Sequence, residues 1–503
     1  MLDPPCLRGE ILSAALSLRR ARRYRRPVRR IAVLIAALLG AAGAAHAALL
    51  ALAPRRAVPA GLHGAAAAAG DFDRDGRTDV AVTYPDAGGV AVFLAGADGS
   101  LTRLGPLLSG RGAGAVLAAD VTGDARLDVV VANSIDDSVS LLAGDGRGGF
   151  AAAVAVASVS APSGVAAGDF DRDGRVDLAV TSRYQDTLTL LHGAAGGGFT
   201  PGATLAVAGG PAGVAAGDLD RNGRLDLVVS VNLDDSALWV LLADGAGFAA
   251  ARRYATGAMP GAPLLADLNG DGVLDVATAA TNEDAVAVLL GAGDGSLAAA
   301  TLLPVGAFPL AVAAADLDRD GRVDLVSADG LDDALTVLRG RGDGAFDPPQ
   351  ALAAGPMPAA LVVADVDRSR AADLVGVDAL SESLSLFTNT VDPGPACAGD
   401  CDDSRQVDID ELVRSVGIAL DRGSVADCLA ADPDASATVT ISELIAAVNA
   451  ALGGCGRGYP APLALQSLRQ TSASFWLPSS QASSPSGMPL PHVGGRQMSA
   501  SCT

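Results

Sequence analysis

The chain has 503 residues, with 36 basic and 57 acidic side chains, and so a formal charge of −21. Half of its residues are hydrophobic but only 3% are aromatic, glycine reaches 61, and lysine is absent, so every fixed side-chain cation is arginine. The apolar fraction excludes a wholly disordered chain, and the acidity argues against a nucleic-acid partner, which needs a basic face.

The first predicted element is an export signal. Arg19 to Arg30 hold eight arginines, Ile31 to Ala45 are apolar, and Ala45-His46-Ala47 offers small residues for cleavage. That order specifies a secretory signal over 1–47. The alternative is an uncleaved anchor, because apolarity continues to Ala53 and the run from Ile31 to that point is long enough to span a bilayer. Cleavage after Ala47 leaves 27 basic against 55 acidic side chains, a charge of −28. The expected mature chain is secreted or surface-located and has no transmembrane segment.

Next comes a repeat. Asp71, Asp120, Asp169, Asp218, Asp267, Asp316 and Asp365 recur at one constant spacing and open one acidic phrase: DFDRDGRTD at 71–79, DVTGDARLD at 120–128, DFDRDGRVD at 169–177, DLDRNGRLD at 218–226, DLNGDGVLD at 267–275, DLDRDGRVD at 316–324 and DVDRSRAAD at 365–373. A fixed period near 50 residues specifies units that cover one another's apolar faces. The third unit reads as four short strands: Gly164 to Gly168, Leu178 to Ser182, Thr187 to Leu191 and Ala203 to Ala208. Short runs divided by Gly and Asp turns fit an antiparallel blade, and an Ala/Gly-rich first strand suits close approach at a central axis. The last unit lacks a fourth strand, while Ala53-Pro-Arg-Arg-Ala-Val-Pro59 matches an interior outer strand, Ala250-Ala-Arg-Arg-Tyr-Ala-Thr256. The N-terminal strand is therefore expected to complete the last blade and remove open edges. The predicted fold is an all-β, seven-bladed β-propeller over 48–392 with a small C-terminal α domain of EF-hand type.

Positions 1, 3, 5 and 9 of each phrase carry oxygen donors, and alternate residues of a tight loop point inward together. A hard cation such as Ca²⁺ takes six to eight oxygens at flexible geometry, and glycine at position 6 permits the turn. Without an ion the carboxylates repel one another. The complete sets are Asp71, Asp73, Asp75 and Asp79; Asp169, Asp171, Asp173 and Asp177; and Asp316, Asp318, Asp320 and Asp324. The fourth is Asp218, Asp220, Asn222 and Asp226, and the fifth is Asp267, Asn269, Asp271 and Asp275. The second, Asp120, Thr122, Asp124 and Asp128, has Ala125 in place of glycine. The seventh has Ser369 and Arg370 where donor and glycine belong, so no ion is expected there.

These phrases, each followed by an apolar strand, and the later stretch Asp137-Ser-Val-Ser-Leu-Leu-Ala-Gly-Asp-Gly-Arg-Gly-Gly-Phe150 resemble the FG-GAP and VCBS repeat family, which includes the propeller of integrin alpha chains. The resemblance covers roughly 48–392. It implies a Ca²⁺-bearing propeller, usually extracellular and often engaged in adhesion or ligand binding.

After a linker at 393–396 the pattern changes. Asp400, Asp402, Ser404, Asp408 and Glu411 occupy positions 1, 3, 5, 9 and 12 of a loop, and Asp432, Asp434, Ser436, Thr440 and Glu443 repeat those positions in a second loop. Each loop enters an amphipathic helix, with Leu412, Val413, Val416 and Leu420, then Leu444, Ile445, Val448 and Leu452. The duplication over 397–455 resembles a dockerin domain, although Arg405 and Ala437 replace the position-6 glycine and weaken the expected binding. Cys397, Cys401, Cys428 and Cys455 allow three pairings in an exported module; Cys397–Cys455 with Cys401–Cys428 is preferred. The Ser/Pro/Gly-rich stretch 456–503 reads as a disordered tail.

No enzyme signature emerges. The four histidines, His46, His63, His192 and His492, include no pair at metal-ligand spacing, and His192 is expected to be ordinary surface. The glycine-rich stretch Gly144 to Gly149 lacks the Lys-Ser/Thr ending of a phosphate loop. The expectation is an exported, monomeric, non-catalytic Ca²⁺-binding scaffold for a protein or glycan ligand. The alternative is a lectin or polysaccharide lyase component on the same propeller.

Overall fold

The computed structural model describes residues 50–391, apart from positions 62, 208, 234, 235 and 246. The signal at 1–47, the module at 397–455 with its ten ligand residues and cysteine pairs, and the tail lie outside the described residues. Seven four-stranded antiparallel sheets account for the repeats, and the described residues form no α-helix. None of their helices is long and apolar enough to cross a membrane.

Blade 3 is representative, with strands Pro162–Gly168, Asp177–Ser182, Thr187–Ala194 and Gly198–Ala206. Its second strand, DLAVTS, is buried at every residue, whereas the fourth alternates or lies exposed. A strand sandwiched between neighbouring blades buries both faces, so continuous apolar sequence there replaces the alternation of a one-sided sheet. The fourth strand starts earlier than the repeat pattern predicts, because Phe199 pairs with Gly193 and extends the hairpin.

The first strands face the axis. An added Cβ at Gly164 would lie 2.9 Å from Gly213 Cα, and one at Gly213 would lie 2.8 Å from Ala262 Cα. Pro162, Pro211, Pro309 and Pro358 open first strands, where the inner edge leaves no ladder bond for a missing N–H to break.

Seven hydrophobic cores fill the spaces between successive blades, each core drawing side chains from two of them. The one formed by Val58, Val80, Phe93, Val362 and Val377 joins blade 7 to blade 1 and closes the ring. As the matching ends predict, Arg56–Pro59 supplies the fourth strand of blade 7, with Arg56 opposite Leu386 and Val58 opposite Leu384.

Candidate metal centre

Each acidic phrase forms the loop between the first and second strands of its blade, so all seven loops lie on one face of the ring. The loop backbone is left-handed at positions 4 and 6. Arg172 has φ 64° and Gly174 has φ 85°. Glycine adopts this region freely, but Ala125 (φ 65°) and Arg370 (φ 68°) are held in it against their Cβ atoms.

Loop side chains close on their own backbone. Asp71 Oδ1 accepts from Asp75 N at 3.1 Å and its Oδ2 from Gly76 N at 2.9 Å. Asp169 and Asp316 repeat this with Asp173 and Gly174, and with Asp320 and Gly321. The seventh loop keeps the same shape, with Ser369 N and Arg370 N donating to Asp365. The turn therefore forms without the full donor set.

Position 9 does more than the sequence pattern implies. Asp79 is the first residue of a second strand and fully buried; Oδ2 accepts from Phe72 N at 2.9 Å and Oδ1 from Ala95 N at 2.8 Å. Asp324 does the same with Leu317 and Gly340, and Asp373 with Val366 and Asn389. This carboxylate staples the loop to the end of the third strand, or to the residues just past it, in every blade, including the seventh. Burial raises Asp79 and Asp275 to about 6 and Asp324 and Asp373 to about 7, opposed by those backbone donors and reinforced by neighbouring carboxylates.

The loops bring carboxylates together in at least four blades. Asp71, Asp73 and Asp79 each present an oxygen within 4.8 Å of the others, as do Asp169, Asp171 and Asp173; Asp218, Asp220 and Asp226; and Asp316, Asp318 and Asp320. An all-oxygen, flexible set of this kind fits a hard divalent cation. In the fourth and fifth loops Asn222 Nδ2 donates to Asp220 and Asn269 Nδ2 to Asp271, both at 3.0 Å. In the second loop Asp120 accepts from Gly123, Asp124 and Ala125, and Thr122 N donates to Asp128.

Two features escaped the sequence reading. The arginine at position 7 pairs with the carboxylate at position 5: Arg77 with Asp75, Arg126 with Asp124, Arg175 with Asp173 and Arg322 with Asp320. Part of the acidic charge is thus neutralised internally. The signal was present, since arginine recurs at position 7. In blade 6 Arg339 also reaches Asp318, at 3.0 Å.

The second feature is His192, which is not ordinary surface. It lies within the third strand of blade 3, with Nδ1 3.2 Å from Asp171 Oδ2 and 3.6 Å from Asp177 Oδ2. Pairing of its strand across the sheet turns the ring toward the acidic loop.

No curated protein matches the chain. Among solved structures it is similar to an Agrocybe aegerita lectin that recognises non-reducing terminal N-acetylglucosamine, at 18% identity over 58% of this chain and 80% of that one, with a TM-score of 0.44. It is also similar to BBS1N in complex with ARL6DN, at 14% identity over 68% and 97%, TM-score 0.49. A third is the virginiamycin B lyase of Staphylococcus aureus with quinupristin, at 12% identity over 66% and 98%, TM-score 0.45. The model for the FG-GAP-like repeat matches residues 71–131, 120–180, 169–229, 267–327 and 316–376, each span running from one acidic phrase through the next. These spans cover more than half of the sequence, and the chain belongs to the FG-GAP-like repeat family.

Proposed function

We propose that the protein is an exported, calcium-binding, non-catalytic propeller that presents a binding surface to an extracellular protein or glycan. The calcium part rests on the repeated convergence of carboxylates at one face and the charge left after arginine pairing. Binding an ion in the folded state alone stabilises that state by linkage. The donors are those at positions 1, 3, 5 and 9, with position 9 also serving the backbone.

The observation that carries the binding reading is on the opposite face. Ile135, Tyr184 and Leu233 stand one repeat apart in the loops between second and third strands of blades 2, 3 and 4, and are 54%, 62% and 44% exposed. Scattered apolar side chains need no explanation, but these three recur at equivalent places on adjoining blades and so follow an arc around the ring. Beneath it Arg183, buried, donates from Nη2 to Asn232 Oδ1 at 3.1 Å across the blade boundary and stiffens the support.

Two aliphatic residues flank one aromatic, which favours a protein partner. Tyr184 alone supports the second reading, a lectin, because an exposed ring can stack on a sugar. Binding to arrayed glycans and to extracellular-matrix proteins, with the chain carrying Ile135→Asp and Tyr184→Ser, tests both. Loss of the bound class in the double variant supports the arc; unchanged binding rejects it.

A further inference from the structure

We propose that blade 3 carries a mixed nitrogen–oxygen site for a divalent first-row transition ion, held by Asp171, Asp177 and Nδ1 of His192. This goes beyond the calcium reading: Asp171 and Asp177 also stand at positions 3 and 9 of that reading, so in this blade the transition ion competes with Ca²⁺ for them, and His192 decides the competition.

Three observations converge. First, Asp171, Asp177 and His192 each offer a ligand atom within 4.8 Å of the others. Second, His192 Nδ1 is shielded from solvent and has no hydrogen-bond partner, although it lies 3.2 Å from one carboxylate oxygen and 3.6 Å from another. A solvent-shielded, unsatisfied ring nitrogen is a cost that an ion between the three atoms removes. Ligand atoms about 2.1 Å from a shared ion stand roughly 3.0 to 3.4 Å apart in octahedral or tetrahedral geometry, so little movement is needed. Third, the ring is seated where the opposite strand has Gly202, at which a Cβ would approach Nε2 to 2.5 Å. The fourth strand thus leaves room for an imidazole that an alanine would displace.

The arrangement is particular to this blade. The residue preceding the one whose N–H meets the position-9 carboxylate is Leu94, Ala143, His192, Leu242, Leu290, Arg339 and Thr388 from blade 1 to blade 7. The same place in blade 6 holds Arg339, a resident cation against Asp318, which occupies the position of Asp171. Asp173 is engaged by Arg175, which leaves Asp171 as the loop carboxylate facing the ring. Imidazole is a borderline donor that suits Zn²⁺, Co²⁺ or Ni²⁺, whereas Ca²⁺ takes oxygen.

The test is Co²⁺ titration of the full chain in saturating Ca²⁺, followed by visible d–d absorption and native mass spectrometry, with Zn²⁺ as competitor. The expected result is one Co²⁺ equivalent displaced by Zn²⁺ and weakened about 100-fold or more in His192→Leu. Leucine occupies the equivalent place in three other blades, so this variant is expected to fold, which its melting temperature checks. Asp171→Ala, on an exposed loop residue, should weaken the same equivalent and guards against a misfolded His192 variant. Cobalt held by cysteines shows thiolate charge-transfer bands and is counted apart. Equal Co²⁺ affinity and d–d spectra in wild type and both variants would overturn the proposal. Calcium stoichiometry, measured on the same samples before cobalt is added, judges the calcium reading separately.

Discussion

At the scale of the residue, one acidic phrase contains two kinds of aspartate. Asp324 is buried and holds Leu317 N and Gly340 N, whereas Asp320 stands at the rim against Arg322. Asp324→Ala leaves two backbone donors unsatisfied and is expected to cost about 3 kcal/mol in chelator as well as in Ca²⁺. Asp173→Ala, at the rim position of blade 3, should lower the melting temperature in Ca²⁺ more than in EDTA. Calorimetry in both buffers distinguishes them; equal losses for Asp173→Ala would support a plain turn. Ala125→Gly relieves a left-handed alanine and should stabilise by ~0.5–1 kcal/mol, read from denaturant midpoints. The oxygen donors were legible from their spacing, because the phrase recurs. The staple role of position 9 was not, since its partners, such as Ala95 for Asp79, lie a strand away. Nor was His192: the whole second strand separates it in sequence from Asp171, and only strand pairing brings the two within 3.2 Å.

At the scale of the element, the four-strand blade and the completing N-terminal strand were readable because their signals are local and repeated. Small first strands, apolar second strands and glycine turns each follow from short segments. Exact strand ends were less readable, as the early start at Gly198 illustrates, because hairpin extension depends on pairing rather than composition. Closure makes its own prediction. Val58 is buried in the core between blades 7 and 1, so Val58→Asp places an unpaired carboxylate there and should cost ~3 kcal/mol or more. It should also expose the edge of strand Ser383–Phe387 and promote association, visible by light scattering.

At the scale of the whole molecule, acidity and stability are coupled through the buried carboxylates. Asp79, Asp275, Asp324 and Asp373 hold protons more tightly in the folded ring, at about 6 to 7, than at their ordinary value of 3.8. Their contribution is present below 3.8 and lost as pH rises through 6 to 7. In EDTA, acidification from about pH 7 to pH 5 should therefore raise the melting temperature. In Ca²⁺ protons compete with the ion, so the increment due to calcium should shrink over the same interval. Parallel curves in the two buffers would remove the ion from the account.

The completing strand also sets how the molecule responds to tension. Leu52 bridges Asn389, and the ladder continues inward from Arg56 opposite Leu386 to Pro59 opposite Ser383. The two ends of the described ring, residues 50–52 and 389–391, consequently lie side by side at one corner. Pulling them apart loads the pairs one after another, like a zipper, instead of shearing them all at once. A protein tethered through both flanks would open there at low force, and the point of attachment would decide whether the ring survives.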